Sequence, residues 1–70
     1  MIQSSDFSKR LKELREERNL SLRQLAEDTG YSHNSIGRWQ KRIQVPNADV
    51  IIKLANYFGV TVGYLVGTED

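Results

Sequence analysis

The chain has 70 residues, no cysteine, one histidine, and ten Lys and Arg against nine Asp and Glu, for a net charge of +1. That length holds one domain, and the lack of cysteine excludes a disulfide framework and a cysteine-ligated metal site. The apolar runs are too short for a membrane span and the N-terminal MIQSSDFSKR lacks the apolar stretch of a signal peptide, so a cytoplasmic protein is expected.

The first helix is predicted from an N-cap at Ser5 or Asp6 to about Arg18. Phe7, Leu11, Leu14 and Arg18 recur at helical spacing, with Lys9/Glu13 and Lys12/Glu16 as pairs on the wet side. Ser21 followed by Gln24 reads as a capping box. It opens a second helix whose Leu22, Leu25 and Ala26 face inward and which stops at Gly30. The third helix begins behind Ser32 as N-cap and runs to about Lys41. Pro46 forces an extended residue before it, and Asn47 caps a fourth helix, Ala48 to Phe58, whose apolar face is Val50, Ile51, Leu54, Ala55 and Phe58. Gly59 ends it. Thr61 caps a short fifth helix, Val62 to Val66, closed by Gly67. Alternation of period two is absent, so the expectation is an all-α, compact five-helix bundle occupying residues 1–70 as one domain.

Within 21–41, Ala26, Gly30 and Ile36 have the spacing of a helix-turn-helix. A small residue stands where two helix backbones nearly touch, a glycine takes φ > 0 in the turn, and a branched aliphatic on the second helix plugs the gap. The usual work of that unit is reading DNA. Net charge alone is a poor argument for such a partner, because phosphate binding is driven by Lys and Arg. Their distribution argues better: from Thr29 to Ala48 the chain carries Arg38, Lys41 and Arg42 and no acid.

Stepping along the third helix at about 100° per residue turns Ile36 and Trp39 inward and gathers His33, Asn34, Gly37, Arg38 and Lys41 in an opposite arc of about 140°. All but the bare glycine offer hydrogen-bond donors, as a helix lying in a major groove requires. Asn34 reads either as a local capping residue or as a bidentate contact to adenine, and Arg38 either as a solvated side chain or as a contact to guanine or phosphate. Gly37 costs about 1 kcal/mol inside a helix and reads either as a close approach of backbone to the groove or as a tolerated neutral loss. Trp39 reads as core rather than as a base-stacking platform. Lys41, Arg42 and Gln44 are placed for phosphates, as are the backbone N–H groups near Ser21 and Leu22.

With one histidine, no Gly-rich phosphate loop and no carboxylate cluster, neither metal-assisted nor nucleophilic chemistry has its parts. No enzyme, metal, cofactor or small-molecule substrate is expected. One module reads a few base pairs, and specific recognition uses two half-sites about 34 Å apart, so two modules must be joined. Val62, Tyr64 and Val66 crowd a helix too short to bury all three and form the expected homodimer surface. Two alternatives stay open: Leu65 and Val62 finish the core with Tyr64 exposed, or a further C-terminal domain does the pairing, with residues 68–70 starting its linker.

The string LKELREERNLSLRQLAEDTGYSHNSIGRW, a basic loop with Pro46, and IIKLANYFGVTVGYLVG resemble the phage-repressor and Cro family of helix-turn-helix regulators, also called Xre-like, from about Lys9 to Gly67. The resemblance implies a lambda-repressor-like fold, a third helix entering the major groove, a dimer on a two-fold-symmetric operator, and a prokaryotic or phage-encoded source. Carried over by position, the family's base-reading places fall on Ser32, His33, Asn34, Gly37 and Arg38. Three positions depart from the family's pattern. Leu22 replaces a glutamine that touches DNA. Gln40 replaces a glutamate that pairs with an arginine at the place of Arg15, which implies an amide-to-guanidinium bond here. Arg42 replaces a turn glycine. The resulting reading is a sequence-specific regulator of transcription, a repressor occupying promoter DNA, with Glu27 and Asp28 as the acidic patch if it instead activates. The alternative is an antitoxin-like or adaptor module whose main partner is another protein.

Overall fold

A computed structural model describes residues 4–41 and 46–69, which form five helices and no strand. They are α1 (Ser4–Glu17), α2 (Leu22–Thr29), α3 (His33–Gln40), α4 (Ala48–Phe58) and α5 (Val62–Val66). Arg42 and Gln44 lie outside the described residues.

Local chemistry sets the ends of α2 to α5. Ser21, Ser32, Asn47 and Thr61 sit in extended backbone, and each side chain accepts the N–H three residues on. Each such cap contributes about 1 kcal/mol. The capping box at α2 is only half made: Gln24 does not reach back to Ser21 but donates to Asp28 Oδ1 at 2.8 Å. At its start, α1 extends beyond the expected cap, leaving Asp6 in the first turn, where its carboxylate faces the positive end of the helix dipole. Its other end is closed by Asn19 at φ 55°, with the Leu20 N–H returning 3.0 Å to the Arg15 carbonyl.

All five helices contribute to one core. Phe7, Leu11 and Leu14 of α1 meet Leu25 of α2, Ile36 and Trp39 of α3, Ile51, Leu54 and Phe58 of α4, and Leu65 and Val66 of α5. Burying each of these side chains is worth about 1.5–3 kcal/mol. The principal packing partners of α1 are α5 and α3, and α2 lies on α3. Three polar side chains of α1 and its end reinforce that arrangement. Ser8, 2% exposed, donates its hydroxyl proton to the Trp39 carbonyl. Arg15 donates through Nε to Gln40 Oε1 at 2.9 Å and through Nη1 to the Leu20 carbonyl at 2.6 Å. The guanidinium of Arg18 lies 4.9 Å over the Phe58 ring and donates to the Phe58 carbonyl at 2.5 Å, satisfying an orphan acceptor at the end of α4.

The fifth helix turns a different face inward from the one expected. Leu65 and Val66 finish the core at 0% and 4% exposure, whereas Val62 is 40% exposed. Val66 is therefore withdrawn from the surface assigned to pairing. The end of α5 abuts the start of α1, so closely that a Cβ on Gly67 would stand 2.7 Å from Asp6 Cβ. Thr68 and Glu69, expected to begin a linker, fold back onto α5, with their N–H groups 2.9 and 3.2 Å from the Gly63 carbonyl.

Candidate nucleic-acid interface

The α2–α3 unit has the three features its sequence requires. Gly30 takes φ 80°, in the left-handed region, and its N–H donates to the Ala26 carbonyl at 2.8 Å. Ala26 is half-buried, and Ile36 beneath the crossing is fully buried. Tyr31 of the turn stands edge-on to Trp39, ring centroids 5.5 Å apart, so the indole is part of the packing behind α3.

On the outer side, His33, Asn34, Gly37, Arg38 and Lys41 line one depression of about 300 Å³ together with Leu22 from the first turn of α2. These are the five residues of the expected arc. His33, Asn34, Arg38 and Lys41 are exposed, and among the described residues none is engaged in an internal side-chain hydrogen bond. Their donors point outward. No acid occurs in α3, and Arg38 stands in its last turn, so positive charge meets the negative end of the helix dipole there. Among the described residues a Cβ added to Gly37 would meet nothing within 4 Å, so packing against them does not require glycine at that position.

Two expected contact residues also cap helices. Ser32 does not line the depression; its hydroxyl donates to Ser35 Oγ at 2.8 Å and accepts the Ser35 N–H at 3.1 Å, fixing the start of α3. The Ser21 hydroxyl accepts the Gln24 N–H, and its own proton remains a donor toward an anion beside the backbone N–H groups of the first turn of α2. Leu22 is the residue the helical arc missed, because it comes from a different helix. Its family counterpart's role in touching DNA was the signal pointing to this place.

The acids of α2 are partly committed as well. Asp28 accepts from Gln24 and, at 2.6 Å through Oδ2, from the Tyr57 hydroxyl of α4. That hydrogen bond, with burial second, raises the Tyr57 phenol above its ordinary value of 10. On α5, Tyr64 is half-buried with the Arg10 guanidinium 4.3 Å over its ring, and Val62 beside it is open.

The model of the helix-turn-helix family matches residues 11–65. Over 64 residues the chain is 29% identical to the HTH-type transcriptional regulator ImmR of Bacillus subtilis (strain 168), a span of 91% of this chain and 50% of that protein. It is 33% identical over 64 residues to the uncharacterized HTH-type transcriptional regulator YobD of the same organism, covering 91% and 57%. With the cryptic phage CTXphi transcriptional repressor RstR of Vibrio cholerae it shares 31% over 64 residues, covering 91% and 58%. The chain thus spans little more than half the length of these relatives.

Proposed function

Because this chain belongs to the helix-turn-helix family, we propose that it is a sequence-specific regulator of transcription that binds double-stranded DNA through the major groove and represses by occupying a two-fold-symmetric operator as a homodimer. The observation that carries this reading is the single outward face on which His33, Asn34, Gly37, Arg38 and Lys41 come together, backed by a buried Ile36 and Trp39. Asn34 and Arg38 are the base readers, matched by geometry to adenine and guanine, with His33 beside them. Gly37 lets the helix backbone approach the base edges. Lys41 and the N–H groups behind Ser21 hold phosphates and set the docking angle.

The engagement of Asp28 by Gln24 and Tyr57 supports repression over activation, since half of the acidic pair on α2 is already bonded within the protein. The single α2–α3 unit among the described residues supports pairing, since each of two half-sites about 34 Å apart takes a helix of its own. Val62 and Tyr64 of α5 form the pairing surface. The test is selection of random duplex DNA by the purified chain at near-physiological salt. An enriched two-fold-symmetric motif is the expected result, and recovery of unenriched sequence would overturn the reading. Val62→Asp should keep the fold and abolish self-association in sedimentation.

A further inference from the structure

The depression on the α2–α3 face has an apolar part that hydrogen bonding does not use. Leu22 lines it with one side of a half-buried side chain, the other side packed on the core. Gly37 lines it with bare backbone. Around these two, His33, Asn34, Arg38 and Lys41 supply donors. A leucine cannot hydrogen-bond a phosphate or a base edge, and covering it with a polar groove wall would strand acceptors against hydrocarbon. Among the edges exposed in the major groove of B-DNA, the C5-methyl of thymine is the one apolar group.

We propose that Leu22 and Gly37 form a slot for the C5-methyl group of one thymine in each half-site, which makes Leu22 a specificity-determining residue. The proposal rests on the DNA-reading function above and adds to it a base that no hydrogen-bonding side chain selects. Gly37 is the independent observation. A methyl at that position clashes with nothing among the described residues, and alanine is the better helix former by about 1 kcal/mol, so helix propensity favours filling a space that glycine leaves open there. The slot accounts for that vacancy by giving it an occupant.

The test uses the duplex recovered by selection, remade with each thymine replaced in turn by uracil, which removes the C5-methyl and nothing else. For the unaltered chain, a single uracil at the one sensitive position of either half-site should weaken binding about four-fold, the worth of one buried methyl group. Leu22→Ala should bind the thymine and uracil duplexes equally. Gly37→Ala, which fills the slot from the protein side, should also bind the two equally, while its thermal midpoint rises. A duplex with no uracil-sensitive position would overturn the slot, as would a uracil penalty that persists undiminished in both variants. Failure to enrich any duplex at all would overturn the DNA-reading function itself and the slot with it, a result distinct from a sound motif indifferent to uracil.

Discussion

Arg15, which reaches α3 from α1, and Arg38, which stands on α3 itself, are used in opposite ways. Arg15 reaches from α1 to Gln40 and the Leu20 carbonyl, and nearby Ser8 and Arg18 likewise bond to carbonyls of other elements. Arg38, with His33, Asn34 and Lys41, stands exposed on the outer side of α3. The inner side thus completes the hydrogen bonding of the fold, and the outer side leaves donors for a partner. The two sides should separate under mutation, stability responding on one and recognition on the other.

The largest effect is expected where the two sides meet. Ile36→Ala should cost about 2–5 kcal/mol in urea denaturation, a large share of what a domain of this size holds, and DNA binding should fall with it. On the outer side, Asn34→Ala or Arg38→Ala should leave the denaturation midpoint in place and cost about 1–3 kcal/mol of affinity for the selected duplex, with relaxed base choice at one position. Lys41→Ala should weaken all duplexes alike and reduce the salt slope by about 1. A shifted midpoint with unchanged affinity in either case would break the division. On the inner side, Gln40→Glu should make the Arg15 bond charge-assisted and raise stability by about 0.5–1 kcal/mol, a gain that shrinks in high salt.

The smallest effect concerns Tyr57. Its raised pKa means that folding favours the neutral phenol, so the stability it contributes is complete below pH 10 and is lost as pH rises through the folded-state value. Tyr57→Phe should lower the thermal midpoint slightly at pH 7, and the difference from the unaltered chain should narrow above pH 10.

Legibility in the sequence followed distance along the chain. Ser21, Ser32, Asn47 and Thr61, with Gly30, Gly59 and Gly67, marked four helices almost to the residue because a cap and its N–H partner lie three positions apart. Asn19 was missed because its left-handed backbone is one of several roles an asparagine takes near a helix end. Ser8 and Arg18 were unreadable as clamps, since their partners stand 31 and 40 residues away. Arg15 was read across 25 residues only because the family resemblance linked its place to that of Gln40. In α5, five residues carry too little periodicity to choose between Val62 and Val66, and the packing of α1 made the choice. The arc on α3 was legible from angle alone, whereas Leu22 joins it only once the packing of α2 on α3 brings the two helices to one surface.

The bonds from Ser8 to the Trp39 carbonyl and from Arg15 to Gln40 anchor the last turn of α3 to α1. In the proposed homodimer, each base pair inserted between half-sites would shift one copy by about 3.4 Å and rotate it by about 34° around the duplex axis. Tied to α1 at these two points, α3 would have to carry the rest of its own copy through that rotation. The count of bases between the half-sites then becomes something the protein measures, alongside the bases it touches.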